Sequence, residues 1–226
     1  MRVVQGGHLT DLRIEHLPDA ETVAIRAAAE IAAAAGDAVR ERGEFSLAVS
    51  GGRTPARMFE LLAAEEMPWE QVGLFQVDER IVPDGDPARN LTGLRHGLLD
   101  MLEIPPDFHP MPVDDSDLDA AAARYASALP PRFDMIHLGL GIDGHTASLV
   151  PDDPVLNATG DVAITGVYQG YRRMTLTYPV LNRARRILWV TTGVDKAGAL
   201  ARLIAGDQAI PGGRVARRNA MVLCDG

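Results

Sequence analysis

Short apolar runs alternate with helical stretches along this chain, and that alternation restricts the fold more than any other feature. Phe45–Val49, Gly73–Val77, Phe133–Leu138 and Ile187–Thr191 each read as a buried strand, with Met221–Leu223 as a last short one. Between them the pattern predicts helices over Asp19–Val39, from Thr54-Pro55 to about Ala64, over Asn90–Leu102, over Leu118–Leu129 and over Asp195–Ile204. Asp19 is the expected N-cap of the first, and Pro55 suits the first turn of the second. Val162–Val167 and Arg172–Thr177, with Gly170 between them, read as a hairpin. Alternating units of this kind imply an α/β fold, a mainly parallel sheet with helices on both faces. No linker, repeat or low-complexity segment divides the chain, and the Pro-rich stretch Pro105–Pro112 is too short to separate domains, so residues 1–226 read as one domain.

Composition narrows the classes of partner. Of 226 residues, 46% are hydrophobic and 23% charged, as in a soluble globular protein; aromatics are only 5%, so Ala, Val, Leu and Ile must do most of the packing. A net charge of -9 argues against nucleic acid or an anionic membrane as partner, and an anionic small substrate would need a local cluster of cations. Cys224 is the one cysteine, which removes any disulfide framework or Cys-based metal cluster and points to a reducing, cytoplasmic setting. The N-terminal residues show no signal-peptide core, and no run of about 18 apolar residues predicts a membrane span. The Ala-rich stretch 23–35 is broken by Arg26 and Glu30 and reads as an amphipathic surface helix.

Three strand ends carry the polar chemistry, and strand ends are where open α/β sheets put their ligand sites. Ser50-Gly51-Gly52-Arg53-Thr54-Pro55 joins a strand to a helix start, where close backbone approach, free N–H groups, Arg53 and two hydroxyls suit a phosphate. It lacks the Gly-x-x-x-x-Gly-Lys of a nucleotide-triphosphate loop. Asp78-Glu79-Arg80 ends the next strand; it fits either a solvated loop start or an anion site in which Arg80 is oriented by a carboxylate. Gly139-Leu140-Gly141-Ile142-Asp143-Gly144-His145 formally matches a dinucleotide fingerprint. However, Pro151-Asp152-Asp153-Pro154 stops any helix after about two turns, and Asp161 precedes the following strand instead of ending it, which argues against a nicotinamide cofactor.

On that third turn His145 and Asp143 form a candidate imidazole–carboxylate pair for general base work. They could also be two metal ligands, but no third ligand stands nearby. His137 lies inside a strand and reads as a core histidine, while His8, His16, His96 and His109 read as surface residues. Gly-x-Ser-x-Gly is absent, which favours attack by activated water over an acyl-serine route. Lys196 stands at a helix start, where a cation is disfavoured unless an anion joins it. Arg172 and Arg173 read as a solvated strand edge.

Together these segments resemble the 6-phosphogluconolactonases of the pentose phosphate pathway. The resemblance is carried by Leu47–Pro55, Val77–Pro83 with Asn90 following, Leu138–Pro151, Met174–Asn182 and Thr192–Ala197, and runs from about Glu44 to Leu203. It implies a Rossmann-like sheet related to those of the glucosamine-6-phosphate deaminases and ribose-5-phosphate isomerases. The implied reaction is hydrolysis of 6-phospho-D-glucono-1,5-lactone to 6-phosphogluconate without a cofactor. The resemblance places the catalytic histidine on His145, the phosphate loop on Ser50–Thr54, and phosphate-binding or stabilising cations on Arg80 and Lys196. Asp143 is then expected to orient the imidazole, and backbone N–H groups near Gly141 and Gly144 to line the pocket and bind the oxyanion. Three positions depart from the family pattern: Arg89 before Asn90, Arg53 where serine is also common, and the stretch Ile210–Gly226, where Met221 sits near the place of a usual tryptophan. Two alternatives remain. A deaminase-like isomerase would need a carboxylate base, for which Asp78 is the candidate, but Thr146–Val150 lacks the acid that the deaminases carry there. A non-catalytic sugar-phosphate sensor would need a DNA-binding module, and no helix-turn-helix candidate is present.

Overall fold

The computed structural model describes residues 12–225, so the expectation for His8 falls outside the described residues. Seven strands form one parallel sheet: β1 (Arg13–Leu17), β2 (Phe45–Val49), β3 (Val72–Gln76), β5 (Asp107–His109), β6 (Met135–Leu138), β9 (Arg186–Thr191) and β10 (Ala220–Asp225). Their spatial order is β1-β10-β9-β6-β2-β3-β5, and every neighbouring pair is parallel. The interior strands are mostly apolar because both faces are covered, with Ser46, Gln76 and His137 among the polar exceptions. On one face, α1 (Ala20–Arg42), α2 (Arg53–Ala63) and α3 (Asn90–Gly97) bury Ile31, Phe59, Leu62 and Leu94. On the other, α4 (Leu118–Ala128), α5 (Tyr178–Arg183) and α6 (Ala197–Ala205) bury Tyr125, Leu181 and Leu203.

The scarcity of aromatics is met chiefly by α1, which buries Ala24, Ala27, Ala28, Ala34, Ala35 and Ala38 against the sheet. Asp19 caps this helix by accepting from the Thr22 N–H at 2.7 Å. No helix among the described residues is long and apolar enough to cross a membrane.

Two expectations are corrected, for Asp78–Arg80 and for Asn90–Leu102. Asp78–Arg80 does not end the strand before it but forms its own strand, β4, in a second, antiparallel sheet with β8 (Arg173–Leu176) and β7 (Val162–Ile164). Val77 is the pivot: its N–H donates to Val49 O at 2.9 Å in the main sheet, while its carbonyl accepts from Leu176 N at 2.8 Å in the second. The expected 162–177 hairpin forms, but in this smaller sheet. No helix follows Gly144; Thr146–Leu149 closes as a tight turn with Ala147 at φ 49°, so the helix that a dinucleotide fingerprint requires is absent. The helix expected over Asn90–Leu102 leaves α geometry after Gly97, with Leu98 at φ -140° ψ -65°, and ends as a 3-10 turn at Leu99–Met101.

From β2 the chain builds outward through β3 to β5, then returns to β6 and builds the other way through β9 to β10. The C-terminal ends of β2 and β6 therefore flank the point of reversal, the place where doubly wound sheets open a crevice for ligands. The divergent C-terminal stretch supplies the interior strand β10 and a 3-10 turn, Pro211–Arg214, whose Gly212 N–H donates to Gly144 O.

Candidate active site

One wall of the crevice is the loop after β2. The Ser50 N–H donates to His137 O at 3.3 Å and lies 3.3 Å from His137 Nδ1, and Ser50 Oγ donates to His137 O at 3.2 Å. Both Ser50 donors are thus turned to β6, and the residue anchors the loop. His137 is fully buried, as its reading as a core residue requires, and burial pushes its pKa down to about 3. It is neutral at ordinary pH, with Nδ1 free to accept. Its Nε2 is buried without a partner among the described residues. Gly51 is required by close approach: a Cβ there would lie 2.4 Å from both Cγ and Oδ1 of Asn90. Gly52 precedes α2, whose first turn receives no hydrogen bond from a capping side chain, leaving an end suited to an anion. The side chains of Arg53 and Thr54 lie outside the described ones.

β4 supplies the second wall. Glu79 is fully buried; its Oε1 accepts from the N–H groups of Arg80 and Asn90, and its Oε2 from the Leu91 N–H and Gln76 Nε2, at 2.7–2.8 Å. Burial pushes this carboxyl up while the four donors pull it back. Glu79 therefore fixes β4 to the start of α3 and is not exposed to any ligand. Asp78 is occupied as well: its Oδ2 accepts from Ser148 Oγ at 2.6 Å, and its Oδ1 from Asn90 Nδ2 at 3.3 Å. Arg80 is half-buried and donates to Ala88 O at 2.6 Å and Asn90 Oδ1 at 3.2 Å. Asn90 thus links the Gly51 loop to Arg80.

The third wall is the turn after β6. Asp143 Oδ1 lies 2.6 Å from His145 Nδ1 and also accepts the His145 N–H at 3.1 Å. Tyr168, from the hairpin between β7 and β8, donates its hydroxyl to Asp143 Oδ2 at 2.8 Å. Burial works to raise the Asp143 pKa, but hydrogen bonds from the His145 side chain and backbone and from Tyr168 outweigh it, holding the carboxyl well below the usual range. An ionised carboxylate can only accept, so His145 Nδ1 carries the proton, and a neutral ring then offers Nε2 as the base. The amides expected to bind an oxyanion are committed elsewhere: Gly141 N–H donates to His145 O at 2.9 Å and Gly144 N–H to Gly141 O at 3.0 Å. These two glycines shape the turn and do not have their own N–H groups free for an oxyanion. Gly144, at φ 84°, packs on Ile210, and its carbonyl accepts from Gly212 N at 2.8 Å, which is how the C-terminal stretch holds the turn in place.

Two residues of this constellation were not read as site residues from the sequence. Tyr168 carried no motif. Arg173 was expected at a solvated edge, yet only 4% of it is exposed, and it stands directly opposite Arg80 in the β4–β8 register. Burial lowers its guanidinium below the ordinary value; Asp78 opposes this and Arg80 adds to it. Like charges paired across strands are destabilising on their own. Arg173 Nε is buried without a partner among the described residues, so the pair is suited to an anion. Arg172, by contrast, is exposed. Lys196 is half-buried just before α6, on the same edge of the sheet. No three His, Cys, Asp or Glu side chains converge on a metal-ligating group among the described residues.

The profile of the glucosamine-6-phosphate isomerases/6-phosphogluconolactonase family matches residues 18–224. The chain belongs to this family. It is 36% identical to the 6-phosphogluconolactonase of Mycobacterium tuberculosis, over 94% of this chain and 95% of that protein. It superposes on a crystal structure of a 6-phosphogluconolactonase from Shewanella baltica with a TM-score of 0.87 at 26% identity, covering 97% and 100% of the two chains. A monomeric glucosamine-6-phosphate deaminase, at 18% identity and a TM-score of 0.83 over 94% and 96%, shares the fold.

Proposed function

We propose that this chain, acting as one domain over residues 1–226, hydrolyses 6-phospho-D-glucono-1,5-lactone to 6-phosphogluconate in the cytoplasm, as in the oxidative pentose phosphate pathway. The observation that carries the reading is the hydrogen-bonded run Tyr168–Asp143–His145 beside Arg80 and Arg173, which stand opposite each other in the β4–β8 register, with the Arg173 guanidinium 5.1 Å from the Tyr168 ring centroid. A base and an anion site side by side are what a phosphorylated ester requires. The family relatives named 6-phosphogluconolactonase support the choice of substrate.

In this mechanism the loop to Thr54, anchored by Ser50, acts with Arg80, Arg173 and Lys196 to hold the phosphate and fix the sugar ring. Asp143 keeps the proton on His145 Nδ1, and Nε2 takes a proton from water as the water oxygen bonds to C1. The tetrahedral intermediate collapses by breaking the bond from C1 to the ring oxygen, and His145 returns the proton to that oxygen. The product is the open hydroxy acid, which ionises. Water suffices as nucleophile, so no covalent intermediate and no cofactor are needed. The occupied lone pairs of Asp78 weigh against the isomerase alternative, which needs a free carboxylate. A pH-stat assay of lactone hydrolysis beside glucosamine-6-phosphate turnover tests the assignment. Hydrolysis of the lactone well above the uncatalysed rate is expected, and faster consumption of the amino sugar would reverse it.

A further inference from the structure

We propose that Tyr168 is a positioning residue for the base: its hydroxyl locks the Asp143 carboxylate against His145, and its ring ties that pair to Arg173 of the anion site. The proposal rests on the lactonase reading for its kinetic consequence, though not for its spectroscopic one.

Tyr168 is placed by a two-residue turn. Gln169 and Gly170 both adopt left-handed conformations, φ 49° and 85°, and Tyr168 and Tyr171 exchange backbone hydrogen bonds of 2.9 and 3.2 Å across them. This is the tight hairpin whose twist matches that of the strands it joins, so the residue before the turn has a defined direction. The Tyr168 hydroxyl lies 2.8 Å from Asp143 Oδ2 and 3.4 Å from His145 Nδ1. The two rings meet edge to face, centroids 5.3 Å apart at 65°. Gln169 Nε2 donates to the same hydroxyl at 3.2 Å, which leaves its proton for Asp143. Burial and then Asp143 push the phenol up to about 12, so it stays a donor throughout the range in which an imidazole base works.

With only Oδ1 engaged, Asp143 would be free to rotate about its χ2 torsion and swing His145 with it. The Tyr168 bond removes that freedom by holding the second oxygen. On its other side the ring carries the Arg173 guanidinium, 5.1 Å from its centroid, and Arg173 Nη2 donates to Tyr168 O at 3.4 Å. Arg173 Nε is buried with no partner among the described residues, although its neighbour across the strands is Arg80. An anion held by these two guanidiniums would order the strand that carries Tyr168. Groups facing the phenol are Asp143 and His145 from the turn after β6 and Arg173 from β8.

Tyr168→Phe keeps the ring and removes only the hydroxyl. Its kcat on the lactone is expected to fall about 10- to 100-fold, with KM little changed. The His145 imidazole, followed by nitrogen NMR in the unliganded protein, is expected to lose part of the Nδ1–H tautomer that the parent holds, because Asp143 is then free to turn away from it. Tyr171→Phe, across the same turn, should alter neither quantity. An unchanged tautomer balance at His145 in Tyr168→Phe overturns the proposal even if the parent proves inactive on the lactone. A parent that hydrolyses the lactone with a variant of equal kcat overturns it while leaving the lactonase assignment intact.

Discussion

Gly141→Ala should disable the base while leaving the fold in place. A Cβ on Gly141 would stand 2.0 Å from His145 Nδ1, 2.2 Å from its Cε1 and 2.8 Å from Asp143 Oδ1. Ordinary contact between such atoms is about 3.5 Å, so the ring must retreat by roughly 1.5 Å. The 2.6 Å bond between His145 Nδ1 and Asp143 Oδ1 cannot survive that displacement. A misplacement of about 1 Å costs on the order of 10²-fold, and complete loss of a general base about 10²- to 10⁴-fold, so kcat should fall within that span. The imidazole is 22% exposed and can swing outward, so the backbone is not forced to move. The backbone of Gly141 is not left-handed, so alanine gains roughly 0.4–1 kcal/mol by restricting the unfolded chain. Losing a part-exposed hydrogen bond costs about the same, and Tm should stay within a few degrees of the parent. The assay is steady-state lactone hydrolysis with background opening subtracted, paired with a thermal melt. Gly139→Ala is the control, since a Cβ there meets nothing within 4 Å. A Gly141→Ala enzyme with near-parental kcat would refute the claim that the His145–Asp143 geometry drives the reaction.

Other outcomes follow from the same geometry. Arg80→Ala should raise KM about tenfold or more, the loss of a charge-assisted hydrogen bond to an anion, with a smaller effect on kcat; an unchanged KM in steady-state kinetics removes Arg80 from the phosphate site. Gly51→Ala would put a Cβ 2.4 Å from Asn90 Cγ and Oδ1, push Asn90 aside and so disturb Arg80, and should raise KM while lowering Tm; kinetics and a melt equal to the parent's would show that the loop is not held as described. His137 is neutral in the fold and protonated when unfolded below its ordinary 6.5. Because its folded pKa is depressed, its contribution to stability is complete above pH 6.5 and is lost as pH falls towards about 3. In His137→Asn, denaturant titrations between pH 6 and 4 should show a stability slope smaller by up to one proton, about 1.4 kcal/mol per pH unit; an identical slope would mean that this imidazole is not buried uncharged.

Most of the main sheet was legible because its interior strands are continuous apolar runs: β2 spans Phe45–Val49 as read, and β6 and β9 differ at their ends by a residue or two. The edge strands were not. β1 (Arg13–Leu17) carries charges, and β5 (Asp107–His109) sits among prolines, because a strand paired on one side only tolerates both. The sequence pointed to Asp143, His145 and Arg80 because glycine-rich turns and charged strand ends are local signals. Arg173 was misread because its burial depends on a register: Arg80 and Arg173 are far apart in the chain and become neighbours only through antiparallel pairing of β4 with β8. Tyr168 was missed for a similar reason, since its hydroxyl reaches Asp143 across 25 positions of sequence. The oxyanion expectation for Gly141 and Gly144 rested on glycines lining a turn, but a turn that tight uses its own amides.

The central claim is that His145 Nε2 activates the water that opens a phosphorylated lactone. The most direct measurement is kcat and KM of His145→Ala on 6-phosphogluconolactone in a pH-stat, corrected for spontaneous opening. A fall in kcat of about 10²- to 10⁴-fold with KM retained is the predicted result. Turnover close to that of the parent would contradict the account.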